Sequence, residues 1–314
     1  MTTSGSVDFT MTANELVTAS FKKLGIVAAE QPIQAHMFQD GIQALNLMMK
    51  SWQAQGLHLW TKEEGVIFLD VGKTDYLLGP TGDEATTLDD FVGTTTTSDL
   101  AASAVIIPVS DSTGMAANDA AGIELDDGTR QWTTISTVDS TTQITIETGL
   151  TGAAASGNTV FTYTSIMERP LRVLSARRKT YGENNEIATN QWTRQEYFDQ
   201  PNKVSQGTLV NWYYSPLLTN GRFYTWQTAS DVNSLARITY ERPIEDIDVS
   251  TETLDIPVEW LDTIIYNLAA RLTDDYKVPP QREDKIIAKA NSLLELNLGY
   301  DEETGSLDVQ PDLK

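Results

Sequence analysis

The spacing of hydrophobic positions changes period twice along this chain. Near the N-terminus Leu16, Val17, Phe21 and Leu24 recur at three- and four-residue steps, which places them on one face of a helix. Thr12 and Glu15 precede that face with the T-x-x-E spacing of a capping box, in which two side chains satisfy two otherwise unpaired backbone donors. Gly25 stands where a helix closes in the left-handed conformation. A second helix is predicted from about Pro32 to Gln55, with Gly56 as its stop. Phe38, Ile42, Leu45, Met49 and Trp52 form its seam, widened by Met37, Ala44 and Met48. A short connection between two such helices predicts antiparallel packing. Trp52 and Trp60 are expected to cover one end of the pair.

The period then shortens. Gly65–Val71 and Tyr76–Leu78 read as strands, and Gly72-Lys73-Thr74-Asp75 reads as a hairpin connection between them. Thr81–Ser165 is rich in Thr, Ala, Ser, Asp and Gly, and Arg130 is its single basic residue. Within it Ala104–Val109, Gln131–Val138, Gln143–Glu147 and Thr159–Thr164 are strand candidates, separated by turn signals such as Asp127-Gly128 and Gly157-Asn158. That cadence predicts a small β-sandwich or barrel. Strands resume at Leu171–Lys179, Leu209–Tyr214, Arg222–Gln227 and Ala236–Glu241, with a short helix at Thr193–Asp199.

Helical spacing returns at the C-terminal end. Pro257 suits a first helical position, and Leu261, Ile264, Ile265, Leu268 and Leu272 form the seam that follows. Pro279-Pro280 breaks that helix. Ile286, Ile287, Ala290, Leu293 and Leu294 mark a further one, which Gly299 is expected to end. Tyr300–Lys314 is acidic and aperiodic and reads as an extended tail. The predicted fold class is α+β: an antiparallel helical bundle with a small β-sheet region and an inserted all-β module, sandwich or barrel-like. The expected organisation is a helix pair and hairpin over 1–80 and the inserted module over 81–165. Strands and two helices continuing the first domain follow over 166–298, and the tail covers 299–314.

Composition narrows the function. The chain has 314 residues, enough for two cores, and its 40% hydrophobic content is that of a globular protein. Mean hydropathy is -0.27. No apolar run approaches the roughly 20 residues of a membrane span, and Met1–Phe9 lacks the pattern of a secretory signal. The absence of cysteine excludes disulfides, thiolate nucleophiles, zinc fingers and iron–sulfur clusters. A net charge of -22 opposes the phosphate backbone and argues against groove-reading DNA binding. A negative wall is nonetheless suited to DNA that slides past without adhering.

Candidate chemistry is sparse. Gly72-Lys73-Thr74 resembles the end of a phosphate-binding loop, but Ile67 occupies the position of the required first glycine and no helix follows. A turn is preferred. His36 and His58 are the two histidines, neither with a recognisable serine or carboxylate motif. Glu124, Asp126 and Asp127 offer oxygens for calcium without the full EF-hand pattern, and Asp126-Asp127-Gly128 is better read as a turn. Trp212, Tyr213, Tyr214, Tyr224 and Trp226 suit either a sugar-stacking platform or, more commonly, a sheet core or an interface. No catalytic, metal-binding or cofactor-binding residue is predicted.

The order of segments resembles a known family. Thr12–Ile26 is followed by Ala44–Trp52, Gly56–Trp60, the Val66–Leu69 strand and Tyr76; later come Ile238–Pro243, Ile256–Trp260 and Leu268–Leu272. This is similar to the head-to-tail adaptor proteins of short-tailed bacteriophages, also called packaged-DNA stabilisation or head-completion proteins. The resemblance lies outside Thr81–Ser165. It implies a non-enzymatic virion protein, assembled in the host cytoplasm as a twelve-copy ring between the capsid portal and the tail nozzle. DNA would pass through its lumen without sequence-specific binding, and no membrane would be involved. It also implies that the C-terminal segment reaches the portal, which places Tyr300, Leu307 and Val309 as docking residues. The β module would project towards a tail fibre or the host surface. The alternatives are a virion-associated peptidoglycan hydrolase using a carboxylate pair, or a host-glycan-binding module formed by the β insert.

Overall fold

A computed structural model of the chain describes residues 5, 9–28, 30–55 and 59–300. The chain forms two compact units, one from Met1–Thr61 with Ile244–Lys314 and the other from Lys62–Pro243.

The first unit is helical. Helix α1, Ala13–Leu24, begins with the predicted capping box: Glu15 N donates to Thr12 Oγ1 at 3.3 Å and Thr12 N to Glu15 Oε2 at 2.9 Å. It ends at Gly25, whose φ is 75°. Helix α2 spans Ala35–Ala54 and buries Met37, Gly41, Leu45, Met48, Met49 and Trp52. Gly41 permits the close approach of α1, because a Cβ there would run into Val17. Helix α3, Arg194–Asp199, belongs to the second unit. Pro257 caps a 3-10 turn, Val258–Trp260, that leads into α4, Leu261–Leu272. Helix α5 runs from Pro280 to Tyr300, so Gly299 does not end it. One core joins Leu16, Val17, Phe21, Leu45, Trp52, Ile264, Leu268 and Ile286. Trp260 lies between Trp52 and Trp60, at 5.8 and 5.1 Å. The chain after Ile244 is stitched to α2 by Asn46, which exchanges two bonds with the Ile247 backbone, and by Lys50, which donates to Ile244 O at 2.7 Å.

The second unit is built of strands. In chain order these are β1 (Lys62–Phe68), β2 (Asp75–Leu78), β3 (Ala85–Thr87), β4 (Val92–Thr95), β5 (Ile106–Pro108) and β6 (Ala120–Glu124). Then come β7 (Arg130–Ser140), β8 (Gln143–Ile146), β9 (Thr159–Tyr163), β10 (Arg172–Thr180), β11 (Glu186–Ala188) and β12 (Asn190–Gln191). The last are β13 (Gln206–Gly207), β14 (Asn211–Ser215), β15 (Gly221–Trp226), β16 (Thr228–Ala229) and β17 (Ser234–Glu241). One sheet has the order β11-β10-β17-β1-β3, a second β12-β14-β15-β2, and a third β4-β9-β6-β7-β8-β5, while β13 and β16 pair alone.

These sheets correct the predicted fold class. Helix accounts for 26% and strand for 31%, with several sheets and a half-barrel, so the chain is not a helical bundle with a small sheet region. The helical seams are local and dominate a reading by periodicity. The strands between 62 and 243 are short and find partners far away in sequence. The predicted β1–β2 hairpin is also corrected: β1 pairs with β17 and β3, whereas β2 pairs with β15 in another sheet. The six-stranded sheet also shares a core with the sheet of β1 and β17. Val66, Phe68 and Leu235 pack with Phe161 and Tyr163, flanked by Phe91 and Trp132.

Candidate functional site

In the helical unit, α2 carries a surface that its core does not use. Leu47 lies away from the buried stripe and is 59% exposed. Between α2 and the segment after Ile244, Phe38, Ile42, Leu47, Ile247 and Asp248 line an open groove of about 440 Å³. A single exposed leucine is ordinary; apolar side chains gathered beside an acidic residue form a surface suited to a partner. A second cleft, of about 710 Å³, is bounded by Phe9, Met11, Thr18, Lys22, Gln31 and Ile33.

The β unit holds a buried charge. The Arg130 side chain has no exposed surface. Its guanidinium carbon lies 5.0, 5.6 and 5.8 Å from the ring centres of Phe161, Phe68 and Trp132. Nη2 donates to the Val232 carbonyl, and Nη1 is 3.6 Å from Asp70 Oδ1. Burial lowers the Arg130 pKa to about 10, partly opposed by Asp70, so the group stays charged at neutral pH. Burial likewise raises the Asp70 carboxyl against the pull of Arg130 and Lys73. The Tyr76 hydroxyl accepts from Asp70 N at 2.8 Å, and burial raises its pKa. Lys73 pairs with Asp83 at 2.6 Å, and the other oxygen of Asp83 accepts from Leu77 N at 2.7 Å. Both oxygens of Asp83 are therefore engaged in holding the β2 turn. The arrangement is an anchor: a cation inside a ring of aromatics, fixing the six-stranded sheet to β1 and to the loop before β17.

The residues singled out by sequence are dispersed. Gly72-Lys73-Thr74 forms a turn with Gly72 at φ 72°, and no helix starts there. His36 is exposed on α2; His58 lies outside the described residues. Glu124 accepts from Thr159 N and Oγ1, both at 2.9 Å; Asp126 accepts from Ala155 N, and Asp127 from Thr129 N. Among the described residues no three His, Cys, Asp or Glu side chains are grouped to hold a metal ion. No described helix is long and apolar enough to cross a membrane. The aromatic run divides between two faces. Trp212 is buried and stacks on Phe223 at 5.5 Å. On the other face Tyr213 stacks on Tyr224 at 5.6 Å, and Tyr197 of α3 lies 4.7 Å from Tyr224. Tyr300 ends α5, while Leu307 and Val309 lie outside the described residues. Two features escape a sequence reading. Leu47 stands off the seam that defines α2. Arg130 is conspicuous only as the one cation of an acidic block, a signal that gives no hint of its burial. No model of a known protein family matches the chain, and no curated protein sequence matches it.

Proposed function

We propose that the chain is a structural virion protein, an adaptor ring that joins the capsid portal to the tail nozzle of a short-tailed bacteriophage and forms part of the DNA conduit. One observation carries this reading beyond the resemblance itself. The segments that bear the resemblance at the two ends of the chain meet in a single core: Leu16 and Phe21, Leu45 and Trp52, Trp260 and Leu268. They are separated by roughly two hundred residues of other structure, and a core assembled from both ends is what retains their order. The acidity of the chain supports passage of DNA without adhesion. In this reading the segment from Tyr300 onward, with Leu307 and Val309, docks on the portal.

Native mass spectrometry of the chain, alone and mixed with the portal protein of the same genome, tests the proposal. A portal-dependent rise to about twelve copies is expected. A chain indifferent to the portal overturns it. Deleting residues 300–314 is expected to leave a folded protein that no longer docks; docking by the truncated chain removes the tail from the reading.

A further inference from the structure

The cations of the helical unit are placed unevenly. Arg282, Lys285 and Lys289 follow one another on α5 at three- and four-residue steps, so they share a face, and all are exposed. Arg282 Nε donates to Lys23 O at 3.1 Å, which brings the basic end of α1, Lys22 and Lys23, beside them. Among the described residues these five side chains enter no salt bridge. Lys50 of the same unit meets Asp246 at 2.8 Å. Arg271 and Lys277, also exposed and without a salt bridge among the described residues, stand apart from the α5 stripe, so it is the clustering of the five that distinguishes this face. Further along the α5 stripe stands Leu296, 67% exposed. A chain with net charge -22 thus gathers five cations on one face with no carboxylate paired to them among the described residues, and that face carries an apolar side chain.

The groove on α2 has the opposite character. It is apolar, through Phe38, Ile42 and Leu47, and it is rimmed by Asp248 with Glu245 exposed beside it, Asp246 being already paired with Lys50. Val249 adds a further apolar side chain, 51% exposed. Helices α2 and α5 both pack against α1 and α4, so the two surfaces are separate edges built on one core.

We infer that these edges are the two halves of one contact between copies of the chain, with the α5 stripe and Leu296 of one copy seated in the α2 groove of the next. The occupant is a second copy because the two halves complement each other in charge and in apolar character. The contact is head-to-tail because stripe against stripe sets cation against cation, and groove against groove sets acid against acid. A head-to-tail contact closes into a ring when its rotation allows. That closure rests on the adaptor reading; the pairing of the edges does not. Between molecules that repel overall, such local complementarity fixes orientation and makes association salt-dependent.

The absence of cysteine makes the test direct. Leu47→Cys and Leu296→Cys are prepared as single variants of the full chain and oxidised with diamide, apart and mixed, with and without the portal protein. A disulfide-linked dimer is expected in the mixture and not in either variant alone, and a ladder of linked copies in the double variant. Lys285→Glu with Lys289→Glu is expected to lower the yield about tenfold, as loss of two exposed ion pairs implies, and Asp248→Lys on the opposing copy to restore it. All these side chains are exposed, so circular dichroism is expected to show an unchanged fold. Dimers of Leu296→Cys alone, an unaltered yield in the charge-reversed variant, or no linkage with or without portal overturn the inference. Portal binding without linkage discards this interface and leaves the adaptor reading intact. Linkage without portal binding does the reverse.

Discussion

Arg130 carries a full charge into a place where its side chain meets no water. Desolvation of such a group costs several kcal/mol, and the Val232 carbonyl, Asp70 and three aromatic rings offset it. Arg130→Ala removes the partner of those rings and leaves a cavity, a loss of about 3 kcal/mol. Arg130→Met fills the space but leaves the Val232 carbonyl and Asp70 without their partner, so it is expected to cost about 1–2 kcal/mol, less than the Ala variant. Urea denaturation separates the two, and equal losses would show that the charge itself is indispensable. Titration gives a second prediction. Burial raises the phenols of Tyr76, Tyr214 and Tyr240, and moves Tyr197 and Tyr276 to about 12. Between the ordinary tyrosine value near 10 and those raised values, the folded state holds protons that the unfolded state has released, so stability falls as pH rises. Arg130 works in the opposite sense above about 10, but it is one group against six, since burial raises Tyr181 as well. The share of phenolate absorbance that belongs to these buried tyrosines is therefore expected to appear together with unfolding, not ahead of it. At this scale the sequence exposes the oddity of Arg130 and conceals its cause, because the surrounding rings come from positions 68, 132 and 161.

Helices were more legible than strands because their signals are local. The capping box of α1 is complete within four residues, and the seam of α2 repeats over about four turns without reference to the rest of the chain. Thr12→Ala is expected to cost about 1 kcal/mol, read as a lower melting temperature. Its bonds to Thr12 hold the Glu15 carboxyl below its ordinary range. That contribution is present above the unfolded carboxylate value and is lost as pH falls through the lower folded one. The penalty of Thr12→Ala is therefore expected to shrink in acid, as the bond from Thr12 Oγ1 to the Glu15 carboxylate is lost; a pH-independent difference would leave only the Glu15 N–H bond to Thr12 in the cap. In the core of the same unit Leu268, fully buried, is expected to cost about 2–5 kcal/mol when cut to Ala. Strands lack such self-contained signals. Lys62 of β1 pairs with Glu241 of β17, and Asp75 of β2 with Tyr224 of β15. Nothing near Gly72 reveals that the strands on either side of it join different sheets. The hairpin expectation failed there, and the underestimate of sheet content has the same origin.

At the scale of the molecule, the acidic block over 81–165 stands out by composition, yet composition does not mark where packing is shared. Six of its seven strands, β4 to β9, have a core of their own around Ile107, Ile123, Ile135 and Ile144, while the seventh, β3, pairs with β1 outside the block. A second aromatic cluster joins Phe161 and Tyr163 to Phe68 and Leu235, which lie outside the block. Glu124 reinforces that junction through Asn233, and Arg130 through Asp70 and Val232. Excised alone, residues 81–165 would expose Trp132, Phe161 and Tyr163 and leave Arg130 buried in nothing. The fragment is expected to be poorly dispersed in its amide spectrum and to bind a hydrophobic dye. Residues 62–243 differ, since the pairing of Lys62 with Glu241 brings the two ends of that unit together. This longer fragment is expected to fold cooperatively, with the dispersion of a native β protein. A well-dispersed spectrum from the short fragment would mean that the ring of Phe68 is dispensable. The interpretation of Arg130 as the anchor between the sheets would fall with it.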